Sequence, residues 1–153
     1  MTKYFFFLAC SVMLSCSLEV TKNEIHVEKN EFPFFAEYRT WMKINRDTII
    51  RESEEEAREI YVNKTAVQTR GNFGTGSVLV KEQYRLSNIG GGSYVKGEIF
   101  QIAVMRKTGI GEHGGWDFRA YDPKTGSEIP GLSEGCALCH AKRKSFDFIF
   151  SNF

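Results

Sequence analysis

Ser77-Val78-Leu79-Val80-Lys81-Glu82-Gln83-Tyr84 reads as a β-strand. Side chains alternate across a strand, so Ser77, Leu79, Lys81 and Gln83 share one face while Val78, Val80 and Glu82 share the other. The central Val78-Leu79-Val80 is apolar on both faces, as expected of a strand covered on both sides. The turn-rich Gly71-Asn72-Phe73-Gly74-Thr75-Gly76 introduces it. Upstream, Glu59-Ile60-Tyr61-Val62 is a shorter strand ended by Asn63-Lys64. Downstream, a third strand runs from Tyr94 or Glu98 to Met105 after Gly90-Gly91-Gly92, and a fourth is Trp116 to Tyr121. Alternation in the fourth puts Trp116 and Phe118 on one face, and Asp122-Pro123-Lys124-Thr125-Gly126 ends it. Short strands joined by Gly-rich turns, with no helix between successive pairs, predict an antiparallel sheet. Phe34, Tyr38, Trp41 and Met42 recur at helical spacing and predict a helix from about Phe32 to Lys43 lying over that sheet. Phe146, Phe148 and Phe150 alternate and suggest a last strand. The expected class is α+β, mainly antiparallel sheet with a few helices.

The chemistry concentrates in Cys136-Ala137-Leu138-Cys139-His140. Cys-x-x-Cys-His is the spacing of covalent c-type haem attachment: each thiol adds across one vinyl group, and the next residue offers an imidazole as proximal iron ligand. A zinc site would need two further ligands, yet after the leader only His26 and His113 remain and there is no second Cys pair. A thioredoxin-like redox pair would sit near the start of a strand and helix unit, whereas this motif lies close to the C-terminus. One covalently attached haem c is therefore expected, in a C-terminal segment that is helical from Cys136 and packs on the sheet.

The first residues agree with export, which c-type attachment requires. A short positive start, Met1 to Lys3, precedes the apolar run Tyr4 to Leu14, which is shorter than the about 20 residues a spanning helix needs. Met13-Leu14-Ser15-Cys16 has the ending of a bacterial lipoprotein signal, with Cys16 as lipidation site; the alternatives are an ordinary secretory signal and, less well placed, lipidation at Cys10. The expected division is a signal peptide at 1–15, a polar tether at 16–31 and a haem domain at 32–153. Of the four cysteines two belong to the leader and two to the haem, so no disulfide is expected. A periplasmic or membrane-anchored location follows, with the membrane reached only through the lipid.

Without the leader roughly 137 residues remain, enough for one core. Once Lys3 is gone, 19 basic residues face 19 acidic ones, and with no basic stripe nucleic acid is excluded as a partner. Glu54-Glu55-Glu56, the longest like-charge run, reads as a solvated loop or helix start. Lys81, at the end of an apolar run, either emerges at the sheet rim or reaches into a pocket. Met42, Met105 and His113 are the side chains that could supply a second axial ligand for electron transfer. The two methionines look like core residues and His113 like a loop histidine.

A haem motif late in a strand-rich chain fits neither a small helical cytochrome nor a four-helix cytochrome c-prime. The chain instead resembles the cytochrome P-460 family and its uncross-linked relative cytochrome c-prime-beta. The resemblance runs through Tyr38-Arg39-Thr40-Trp41, Ile60-Tyr61-Val62-Asn63, the stretch Phe73 to Glu82, Val104-Met105-Arg106-Lys107, Gly114-Gly115-Trp116-Asp117-Phe118, the haem motif and Asp147-Phe148-Ile149-Phe150. It implies a homodimer and a five-coordinate haem, with His140 on one side and an open position on the other. In cytochrome P-460 a lysine is bonded to the porphyrin edge and hydroxylamine is oxidised to nitrogen oxides, the electrons leaving to an external redox partner; Lys81 stands at the matching place. In cytochrome c-prime-beta the bond is missing and the protein binds nitric oxide or carbon monoxide. The resemblance also puts Phe73 where an aromatic can cap the iron, the other reading being a plain core phenylalanine. A proton-relaying acid is implied between the Trp116 strand and the haem motif, with Glu128 and Glu134 as candidates. The family pattern has a histidine shortly before the strand at Ile60, where this chain has the acidic stretch Glu52 to Glu59, a departure that counts against turnover. Hydroxylamine oxidation leads, followed by gas binding and then electron transfer.

Overall fold

The computed structural model describes residues 37–150. The expected signal peptide and tether, with Cys10 and Cys16, lie outside the described residues. One six-stranded antiparallel sheet organises the rest, with β1 (Met42–Lys43), β2 (Ile49–Arg51), β3 (Glu56–Val62), β4 (Val78–Gly90), β5 (Ser93–Lys107) and β6 (Trp116–Tyr121). The order is β1, β3, β4, β5, β6, and β2 pairs with the same edge of β3 as β1 does. Two helices accompany it, α1 (Lys64–Gln68) and α2 (Leu132–Ala141). The class is α+β, as expected, and β6 has the expected bounds.

Asn63 starts α1 because its Oδ1 accepts from the Ala66 amide at 3.0 Å. The same oxygen accepts from the Val78 amide at 3.1 Å, tying the helix to the start of β4. The long β4–β5 hairpin turns through Gly90, Gly91 and Gly92, whose φ angles of 92°, 62° and 75° favour glycine.

Three expectations need correction. The helix predicted from Phe32 to Lys43 is, in its described part, a 3-10 turn at Tyr38–Thr40 followed by the edge strand β1. Met42 is 50% exposed, so the apolar stripe is incomplete, and pairing with Tyr61 and Val62 wins the backbone. The predicted last strand at Phe146 to Phe150 is a 3-10 turn, Lys144–Phe146, followed by left-handed Asp147 and Phe148. Its amides are taken locally: Phe146 and Phe148 donate to the Arg143 carbonyl and Ile149 to that of Phe146. Phe148 and Ile149 are buried while Phe146 and Phe150 are exposed, so the alternating phenylalanines reflect a turn. Lastly, Glu54 and Glu55 are exposed as expected of a charge run, but Glu56 opens β3 and is buried.

Each sheet face carries its own core. Tyr38, Tyr61, Val78, Val80, Ile102, Val104 and Tyr121 cluster on the back. Val62, Leu79, Met105, Trp116, Phe118, Ala137, Phe148 and Ile149 belong to the cluster on the front, where α1 and α2 lie. Val78-Leu79-Val80 is buried on both faces, as its pattern predicts.

The back is also heavily charged. Glu82 is fully buried; its Oε1 accepts from Tyr38 at 2.5 Å and Arg39 at 2.7 Å, and its Oε2 accepts from Tyr84. Burial and the Glu82 bond both push the Tyr38 hydroxyl pKa up. Glu59 accepts from Lys96, Lys43, Thr48 and Tyr61 at 2.9 to 3.1 Å.

Candidate functional site

On the front of the sheet is a cavity of about 420 Å3. That volume lies within the ~300–1,000 Å3 typical of small-molecule and cofactor sites. Its sheet wall follows from the register. One row across the strands is Ile60, Lys81, Ala103, Ala120, and the next is Val62, Leu79, Met105, Phe118. Ile60, Leu79, Ala103, Met105 and Phe118 give the lining apolar surface. Alternation along β4 then turns Lys81 to the same side.

Helix α2 supplies the reactive wall. Cys136, Cys139 and His140 all line the cavity, and the two cysteines, three residues apart on one helix, project on neighbouring positions of one face. Both are free thiols. Burial raises the pKa of the Cys136 thiol. His140 Nδ1 lies 2.6 Å from the Phe148 carbonyl oxygen. A carbonyl can only accept, so the network assigns the hydrogen to Nδ1 and leaves the Nε2 lone pair free. Burial, opposed by that bond, leaves the His140 pKa below its ordinary value and favours the neutral imidazole. The ring is flanked by Phe118 at 5.2 Å and Phe150 at 5.0 Å between centroids.

Lys81 has no hydrogen-bond or ion-pair partner among the described residues, although it is half-buried at the cavity. Burial depresses its pKa, and the nearby Arg58 guanidinium adds to the effect. Of the two readings of its strand position, the structure places it at the cavity and away from the rim.

The other predicted residues are not gathered there. Phe73 packs edge-on to Trp116, with centroids 5.6 Å apart in the front core, and is not among the lining residues. Glu128 accepts from Arg119 at 2.8 Å and Ser133 at 3.0 Å beside the cavity, and Glu134 is exposed in the first turn of α2; neither lines it. Met42 is exposed on β1, and His113 sits in a turn against Phe118 and Phe148; of the three possible axial donors, Met105 alone lines the cavity.

The cavity's carboxylate is instead Glu54, paired with Arg51 and Arg58, which line it too. Sequence reasoning missed this trio because β2 and β3 bring it to the site by pairing, although Arg58 shares the Ile60 and Val62 face by simple alternation. Phe118 was legible as a buried face but not as a neighbour of His140.

This donor set fits haem. Two thiols and an imidazole with a free Nε2 face a cavity whose sheet wall is apolar, and an unpartnered amine points to a missing polar or ring partner. Among the described residues no group of three or more His, Cys, Asp or Glu stands together to hold a bare metal ion. No helix among them is long and apolar enough to cross a membrane. No curated protein matches the chain. The family model for Cytochrome P460 matches residues 35–151, most of the chain and all of this site, and the chain belongs to that haem cytochrome family.

Proposed function

We propose that this protein is an exported mono-haem c-type cytochrome that oxidises hydroxylamine to nitrogen oxides at an open iron position and passes the electrons to an external redox partner. The observation that carries this reading is the unpartnered Lys81 amine in the same cavity as Cys136, Cys139 and His140. Haem, when bound, supplies a redox-active iron with a coordination position open to a small nitrogen-oxide ligand. Cys136 and Cys139 would hold it by thioether links and His140 Nε2 would be the axial ligand. The Phe148 carbonyl keeps the imidazole oriented and its Nδ1 protonated. Ile60, Leu79 and Ala103 exclude water, and the lowered pKa of Lys81 favours the neutral amine that a bond to the porphyrin edge requires. Against the opposing effect of desolvation, the Arg51 bond and the Arg58 and Arg51 charges hold Glu54, the carboxylate at the cavity, below its ordinary pKa, so it serves to hold those two arginines at the cavity. The working form is proposed as a homodimer, in the periplasm or held to a membrane by lipid on Cys16.

Lys81→Ala tests the reading. Loss of hydroxylamine turnover, with a spectrum changed to that of an ordinary c-type haem and nitric oxide binding retained, is the expected result. The wild-type haem peptide carrying Cys136 and Cys139 should also come away from proteolysis with the segment around Lys81 attached. A second reading, reversible nitric oxide or carbon monoxide binding without turnover, is favoured by the apolar lining. It takes over if the wild-type digest shows haem linked through the cysteines alone and the spectrum does not respond to the substitution.

A further inference from the structure

The carbonyl that orients His140 belongs to an unusual turn. Asp147 and Phe148, consecutive and neither of them glycine, hold φ angles of 49° and 64°. This left-handed region is costly for a bulky residue and persists where surrounding structure over-determines it. Three anchors do so. Asp147 Oδ1 accepts from Lys107 Nζ at 2.6 Å and from Trp116 Nε1 at 3.1 Å. Lys107 Nζ also lies 4.9 Å from the centre of the Trp116 ring. The Phe148 ring then rests against Gly114, where an added Cβ would stand 2.6 Å from its Cε2. Lys107 ends β5 and Trp116 starts β6, so the anchors belong to the rigid sheet, while the output, 2.6 Å between Phe148 O and His140 Nδ1, falls on the haem motif of α2.

We propose that Lys107, Asp147 and Trp116 form a clamp that positions the proximal ligand, fixing the turn so that the Phe148 carbonyl polarises the Nδ1–H of His140 and thereby sets the donor strength of Nε2 toward iron. The inference rests on His140 being the axial ligand. An imidazole whose Nδ1–H is held by a strong acceptor gains basicity at Nε2, strengthens the iron bond and favours the ferric state. None of the three side chains touches the cavity, so each acts as a positioning residue.

The test uses haem-loaded protein. Asp147→Gly removes both bonds yet suits the left-handed φ, so the turn is released without new strain. It should lower the iron–histidine stretching frequency in the Raman spectrum of the ferrous protein and raise the midpoint potential. Asp147→Asn, which tolerates the same φ and keeps an oxygen for Lys107 and Trp116, should stay close to wild type. Lys107→Met should move both readouts in the direction of Asp147→Gly. A lower melting temperature with unshifted band and potential would assign the clamp to stability alone and overturn the proposal, as would failure of both Asp147→Gly and Lys107→Met to fold and load haem. Absence of an iron–histidine band in the wild type would defeat the ligand assignment itself, an outcome separate from an unshifted band.

Discussion

Replacing Lys81 by methionine should stabilise the haem-free chain. Lys81 sits in a row between Ile60 and Ala103, and no hydrogen bond or ion pair among the described residues offsets the burial of its amine. An unsatisfied buried polar group costs about 1–3 kcal/mol. Lys81 is half-buried, and its amine faces a cavity that water can enter without haem, so the lower part, about 1–2 kcal/mol, applies. Methionine keeps the chain length and removes the charge. For a domain of this size each kcal/mol moves the melting temperature by about 3–6 °C, so a rise of roughly 3–12 °C is expected. The sign with pH follows from the depressed pKa. Above the folded-state pKa of Lys81 and below the usual 10.5, the unfolded chain binds more protons than the folded one, so wild-type stability rises with pH. The advantage of Lys81→Met should therefore be largest near neutrality and shrink as the pH climbs toward 10.5. Melting curves of the two haem-free proteins at pH 7 and pH 10 measure it. A rim lysine would give a change within about ±0.5 kcal/mol. That result, or a destabilised variant, refutes the claim that Lys81 is held in place for a partner.

Replacing Cys136 and Cys139 together by alanine should abolish haem that survives denaturation, because thioether links alone would persist; haem still on the denatured double variant, seen by peroxidase staining, overturns the attachment. Cys16→Ser should move the protein from the membrane fraction to the soluble periplasmic fraction, and a mature N-terminus other than Cys16 would end the lipoprotein reading. Glu59 gives an acid-stability signature: burial pushes its pKa up, but the bonds from Lys96, Lys43, Thr48 and Tyr61 more than offset this and bring it from 4.5 to about 2. Its stabilising effect is thus fully present above pH 4.5 and lost as the pH falls toward 2, so denaturant midpoints should drop through that window in the wild type and stay flatter in Glu59→Gln. With both lysines about one-third exposed, the effect should be about 1–2 kcal/mol, and parallel curves would show that it is absent.

The parts of the fold that sequence alone disclosed are those where one local rule governs. Trp116 to Tyr121 alternates and is bounded by turn residues, and the strand matches. Val78-Leu79-Val80 is apolar on both faces and is buried on both. The extension of β4 from Tyr84 to Gly90 was not legible, because beyond Arg85 the hairpin leaves the flanking strands and its residues are mostly exposed, so burial imposes no pattern; for β5 the earlier of the two expected starts, Tyr94, lies one residue from the observed Ser93. At Met42 and at Phe146 to Phe150 the periodicity was present and misleading, since pairing with β3 decides the backbone at the first, and local amide bonds together with the Asp147 contacts to Lys107 and Trp116 decide it at the second. The site divides likewise. Adjacency within one helix put Cys136, Cys139 and His140 together and made them readable. Arg51, Glu54 and Arg58 meet the cavity through the pairing of β2 with β3, which leaves no mark in a linear pattern. Lys81 needed both its strand phase and the family resemblance.

Adjacent residues on β4 show why the front face calls for a ligand and the back does not. Glu82 is fully buried, yet Tyr38, Arg39 and Tyr84 satisfy both of its oxygens, so this charge is met within the chain. Lys81, one residue earlier on the opposite face, opens onto about 420 Å3 of space with no such shell. A chain that supplies three partners to one buried charge and none to its neighbour has the means to satisfy both. The asymmetry is explained if the front cavity is completed by a group from outside the chain, flat and apolar enough to cover Ile60, Leu79 and Ala103, reactive at its edges toward Cys136 and Cys139, and able to accept the Nε2 lone pair of His140. Haem meets each of those requirements. The back face carries its own core and its own ion pairs, so its packing does not depend on the group that fills the front.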